Sequence, residues 1–130
     1  MLLDTSGLLC YFDESESRHQ DAVTFFDLAP TKMTHSYVLA EFVPLCLVRG
    51  MDRLKTLTFL SEIMDNPLVE MMWVDEKLHR GAQTYLQSRL DKQYSLCDAI
   101  SFLLMQRSGI AEALTTDHHF EQAGFQRLLR

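Results

Sequence analysis

Long apolar runs are missing from this 130-residue chain. No stretch of about 18 apolar residues occurs, so no membrane-spanning helix is expected. Cysteine is scarce: Cys10, Cys46 and Cys97 are widely spaced and include no C-x-x-C pair. That excludes a disulfide framework and a zinc knuckle, and leaves buried thiols in a reducing cytoplasm as the expectation. Glycine and proline are few, 5 and 3 in number, so no proline-rich linker or low-complexity tract is present. The clear breaks are Pro30, Arg49-Gly50, Asn66-Pro67 and Ser108-Gly109. Positive charge is also short, with 12 bases against 18 acids and a net charge of −6. Such a balance argues against a protein that coats nucleic acid electrostatically. The opening Met1-Leu2-Leu3-Asp4 lacks the basic start and apolar core of a secretion signal, which again points to the cytoplasm.

What is present is the ordinary mixture of a globular protein, 47% hydrophobic and 23% charged, in a length suited to one domain over residues 1–130. Short apolar runs alternate with longer helical patterns. Residues 1–3 read as a strand and 5–12 as a helix. Residues 19–28 carry a helical face in Ala22, Val23, Phe25, Phe26 and Leu28. Residues 32–34 read as a strand, and Ser36 caps an apolar helix that runs to Val48 through a kink at Pro44. Further helices are expected over 51–64, 76–90 and, with Ser95 as cap, 96–107. Strands are expected over 69–74 and 113–115, and a short helix over 118–123. The alternation predicts an α/β fold: a mostly parallel central sheet of 4–5 strands flanked by helices, an α/β/α sandwich. Ligands in such folds gather at the carboxyl ends of strands.

Four acids stand out, three of them at strand ends or helix starts. Asp4 ends the first strand, and Asp117 follows the strand at 113–115. Each could be no more than a helix cap. Asp98 follows Ser95 at capping-box spacing, a local explanation that does not exclude another role. Glu41 is the only charged residue between Tyr37 and Val48, among Leu39, Ala40, Phe42 and Val43. A carboxylate on so apolar a helix is expected to be partly buried, which is costly unless it is paired or bound to a metal. Two carboxylates about 4 Å apart repel by roughly 1 kcal/mol in water and about 4 kcal/mol at an effective dielectric near 20. Hard divalent cations relieve that repulsion, and in pairs they can activate a water for phosphodiester hydrolysis. Spacing alone does not show that the four acids converge.

The motifs around these acids resemble a known family. Leu3-Asp4-Thr5-Ser6-Gly7-Leu8-Leu9, His19-Gln20-Asp21-Ala22, Val38-Leu39-Ala40-Glu41, Ser95-Leu96-Cys97-Asp98-Ala99-Ile100-Ser101-Phe102 and Leu114-Thr115-Thr116-Asp117-His118-His119-Phe120 follow one another in order. Together with Ala123-Gly124-Phe125 they are similar to the motifs of PIN-domain nucleases, and within them of the VapC-type toxins of toxin–antitoxin pairs. The resemblance implies a PIN-like fold and Mg²⁺ or Mn²⁺ held by Asp4, Glu41, Asp98 and Asp117. It implies endonucleolytic cleavage of RNA that leaves 5′-phosphate and 3′-hydroxyl ends, a homodimer, and a VapB-type antitoxin as partner. Thr115 and Ser6 stand where the family places hydroxyls near the metal. An RNA-processing nuclease, or a binding module without catalysis, is the alternative on the same fold.

Two other readings fail on the residues. Asp117-His118-His119 spells the D-H-H of a larger phosphoesterase family, whose further acidic motifs and glycine-rich domain do not fit in this length. A haloacid-dehalogenase-type phosphatase needs an Asp two residues after its nucleophile, and Ser6 stands there. Arg49, Arg53, Arg80, Arg89 and Arg107 are candidates for a basic rim that contacts phosphates.

Overall fold

The computed structural model describes all residues, 1–130. Five strands, β1 (Leu2–Leu3), β2 (Lys32–His35), β3 (Val69–Met72), β4 (Glu112–Leu114) and β5 (Gln126–Arg127), form one sheet in the order β3-β2-β1-β4-β5. All the pairings are parallel. Parallel neighbours need crossovers, and seven helices supply them: α1 (Thr5–Phe12), α2 (His19–Leu28), α3 (Ser36–Val48), α4 (Arg53–Asp65), α5 (Glu76–Gln87), α6 (Leu96–Ser108) and α7 (His119–Gln122). The expected α/β sandwich is therefore observed.

Alternation along the strands divides the interior in two. Leu3 and Leu114 face a core with Leu8, Phe26, Val38, Phe42, Phe59 and Ile63, contributed by α1–α4. Their neighbours Leu2 and Ala113 face the opposite side, with Leu78, Ile100, Phe102, Met105 and Phe120 from α5–α7. With both faces covered, all four residues of β2 are buried, polar Lys32, Thr34 and His35 included. No helix is long and apolar enough to cross a membrane.

The helix starts follow local chemistry. Asp52 and Asp75 accept hydrogen bonds from Lys55 N and Leu78 N, caps worth about 1 kcal/mol each. Hence α4 begins at Arg53, later than the expected residue 51. The α5 helix ends at Gln87, because Leu90, expected inside it, is an exposed residue beyond the packed face. Strand β3 stops at Met72, where its partner His35 ends β2. Strand β4 ends one residue before the expected Thr115, and β5 carries only two residues, too few for a periodic signal. Pro44 does not break α3, which continues four residues past it to Val48.

One contact fixes the centre of the fold. A Cβ on Gly7 would lie 1.8 Å from the carbonyl oxygen of Leu114. Only glycine lets α1 start this close to the end of β4. Asp4 N also donates to Leu114 O at 3.2 Å. The carboxyl ends of β1 and β4 are thus side by side, at the middle of the sheet where the strand order turns.

Candidate active site

A polar cavity of about 390 Å³ opens there, lined by Asp4, Thr5, Ser6, Glu41, Leu45, Gln93, Ser95, Asp98, Thr116, Asp117 and His119. All four acids singled out from the sequence line it. They come from four places: the β1 end, α3, the first turn of α6 and the loop after β4. No lysine or arginine lines the cavity. The expected basic rim does not reach it. Arg49 pairs with Glu16 and Arg80 with Glu76, while Arg89 lies over Tyr85.

Asp4, like Asp98, is buried, 6% exposed. It precedes α1 yet makes no cap hydrogen bond with its side chain, so the capping explanation fails for it. Its Oδ2 accepts from Thr115 Oγ1 at 2.7 Å. The Thr115 hydroxyl in turn accepts from Asp117 N at 3.0 Å, and it lies 3.1 Å from Ser6 Oγ, which accepts from Thr116 N. With the Thr115 proton given to Asp4, Ser6 is the donor to Thr115. The two hydroxyls thus tie the β1 end to the loop after β4. Burial pushes the Asp4 carboxyl up to about 7, aided by the negative charges of Asp98 and Glu41 and opposed by the Thr115 hydrogen bond.

Asp98 does complete the capping box: Asp98 N donates to Ser95 Oγ and Ser95 N to Asp98 Oδ2. The same Oδ2 lies 3.0 Å from Nδ1 of His119. Capping fixes the rotamer and leaves the acid in the cavity wall, so the two roles coexist. Asp117 accepts from His119 N at 2.9 Å, a local turn just before α7.

Glu41 corrects an expectation. Its helix is apolar on nearly every side, yet Glu41 is exposed at the cavity mouth. Only Val38, Leu39, Phe42 and Cys46 of α3 are buried, whereas Leu47 and Val48 face outward at 65% and 85% exposure. The apolar neighbours reflect an uncovered apolar face, not a buried carboxylate. Thr5 Oγ1 donates to Glu41 Oε1 at 2.8 Å and aims it at the cavity. Thr5 and His119 are the polar contacts that motif spacing did not single out. Both lie inside the motifs, and their contacts depend on which elements the fold brings together.

The cysteines are free and buried, as expected. Burial and the nearby charges of Glu41 and Asp4 push the Cys97 thiol far up, so it offers no thiolate to the site.

Comparison with known proteins identifies the family and the fold. The PIN domain family model matches residues 1–126. The chain belongs to the PIN domain family. This PIN domain is 29% identical over 126 residues to the 23S rRNA-specific endonuclease VapC20 of Mycobacterium tuberculosis, covering 96% of this chain and 95% of the relative. It superposes on the crystal structure of VapC20, described as a sarcin-ricin loop cleaving toxin, with a TM-score of 0.88 and 28% identity. That match covers 99% of this PIN domain and 98% of VapC20. FitAcB from Neisseria gonorrhoeae matches with a TM-score of 0.65 and 15% identity over 98% and 95% of the two chains, a likeness of fold.

Proposed function

We propose that this PIN domain is a divalent-metal-dependent endoribonuclease, a VapC-type toxin, whose ions are held by Asp4, Glu41, Asp98 and Asp117. One observation carries the metal reading. Four carboxylates surround one cavity with no lysine or arginine in its wall, and Asp4 is held up at about 7 by burial and by the charges of Asp98 and Glu41. A carboxylate-rich oxygen site of this kind fits Mg²⁺ or Mn²⁺. When bound, such an ion lowers the pKa of a water and neutralises charge on a phosphodiester.

The remaining work falls to the chain. Thr115, itself held by Ser6, keeps Asp4 in one rotamer, Ser95 N and the His119 ring hold Asp98, and Thr5 holds Glu41. Such fixed carboxylates need little reorganisation when the cation arrives. Gln93, Ser95 and Thr116 offer neutral hydrogen-bonding groups around the same cavity for phosphate or ribose oxygens.

The substrate proposed is RNA, and the relative's substrate makes 23S ribosomal RNA the first to try. The location proposed with that substrate is the cytoplasm. Exposed Leu47, Val48, Leu54 and Leu57 on α3 and α4 support a protein partner, and a second copy of this chain and a VapB-type antitoxin are the partners proposed. The test is cleavage of purified 23S rRNA by the purified protein. Mg²⁺-dependent cutting that stops in EDTA and returns with added Mg²⁺ or Mn²⁺ is expected. Equal cutting in EDTA, or none with any divalent ion, overturns the reading.

A further inference from the structure

Asp117, His118 and His119 offer ligand atoms that all lie within 4.8 Å of one another. The four acids span the cavity more widely. Asp117 Oδ1 lies 3.7 Å from His118 Nδ1 and Asp117 Oδ2 lies 3.5 Å from His119 Nδ1. Ligands of one octahedral ion stand about 2.9 Å apart when adjacent and about 4.1 Å apart when opposite, for bonds near 2.05 Å. The measured separations fall between those values, within about 1 Å of the adjacent-ligand spacing, a shift that side-chain rotation supplies.

The three residues are also held in place. Phe120 is fully buried beneath them. Arg127 Nη1 donates to Thr116 O, and Arg127 is itself paired with Glu121 at 2.6 Å, so the loop entering the cluster is clamped from below. His119 N donates to Asp117 Oδ1, and Asp98 Oδ2 steadies the His119 ring. Access differs across the set: His118 and Asp117 are partly open to solvent, with 64% and 30% of their side chains exposed, and His119 faces the cavity at 17%.

We infer that Asp117, His118 and His119 form a second ion position with two nitrogen ligands, adjoining the carboxylate site and sharing Asp117 with it. Imidazole nitrogen is a poor ligand for Mg²⁺ and a good one for first-row transition ions. The position therefore selects Mn²⁺ and its heavier neighbours, while the carboxylates take Mg²⁺ or Mn²⁺. Each ring turns one lone pair toward the ion; His119 exchanges its Nδ1 hydrogen bond to Asp98 Oδ2 for the bond to the ion, the ring proton moving to Nε2. This goes beyond the proposed function, which invokes oxygen ligands alone, and it rests on that reading for its neighbouring ion.

The test is Mn²⁺ titration of the full chain, followed by electron spin-echo measurement of nitrogen coupling on the bound ion. Wild type is expected to bind two Mn²⁺ and to show imidazole nitrogen coupling. His119→Ala and His118→Ala should each weaken one of the two by at least tenfold and reduce the nitrogen signal. Mg²⁺ affinity should change less than threefold in His118→Ala, which leaves the His119 support of Asp98 in place. Wild-type protein that binds Mn²⁺ without nitrogen coupling overturns this inference and leaves the carboxylate site standing. Nitrogen coupling that survives both substitutions unchanged also overturns it. Wild-type protein that binds no Mn²⁺ overturns this inference and the metal-dependent function together.

Discussion

Replacing Asp4 by Asn should make the ion-free protein more stable and the enzyme inactive. Asp4 is 6% exposed, and its carboxyl is held at about 7 by burial and by Asp98 and Glu41. An ordinary Asp lies near 3.8, so the rise is about 3 units, equivalent to about 4 kcal/mol against the ionised form. Because the value is raised by folding, the contribution is fully present below about pH 4, where the carboxyl is protonated in both states. It is lost as pH rises from there through about 7. An amide carries no charge to desolvate and still accepts from Thr115. In EDTA at pH 8, Asp4→Asn should gain about 3–4 kcal/mol, or roughly 10–15 °C in Tm for a chain of this size. At pH 4 the gain should shrink below about 1 kcal/mol. Urea denaturation of both proteins at the two pH values, with chelator present, measures it. A variant no more stable than wild type at pH 8 would refute the claim that the site stores uncompensated negative charge. Saturating Mg²⁺ should erase or invert the difference, because the cation stabilises the wild-type carboxylate.

Three further outcomes follow from particular contacts. Fully buried His35 bonds Ser101 Oγ through Nε2 at 2.8 Å, its Nδ1 has no partner, and burial holds it down at about 4. Stability from this neutral ring is present above about pH 6.5 and is lost as pH falls through about 4, up to about 3 kcal/mol; His35→Gln should flatten that acid limb in urea titrations. Gly7→Ala drives a methyl into the Leu114 carbonyl oxygen and should cost at least about 3 kcal/mol, read as loss of soluble protein or a lowered denaturation midpoint. Thr115→Val keeps the volume but removes the donor to Asp4, a hydrogen bond to a charged group worth about 1.5–3 kcal/mol. RNA cleavage should fall at least tenfold, and Thr115→Ser should recover most of it.

Much of the fold is legible in the amino-acid sequence. Apolar periodicity and caps locate every helix, with ends off by a few residues where exposed Leu90 lies beyond α5 and where the Asp52 cap starts α4 after Met51. Two-residue β5 left no pattern to read, because its pairing with Glu112 and Ala113 is set by tertiary packing. The acids were legible one at a time, and the motif order joined them. Their convergence depends on sheet order: β1 lies beside β4, so Asp4 meets Thr115 across 111 positions of sequence. Glu41 shows how a sound local rule misleads. Apolar neighbours on a helix signal burial only when that face is covered, and outward-facing Leu47 and Val48 show that this one is not.

The central claim is that four separate carboxylates act as one metal site for RNA cleavage, and single-turnover cleavage in Mg²⁺ tests it most directly. Asp4→Asn and Asp98→Asn, both confirmed folded by denaturation, should each slow cutting by at least a hundredfold, with partial recovery in Mn²⁺. Either variant cutting RNA at the wild-type rate in Mg²⁺ would contradict it.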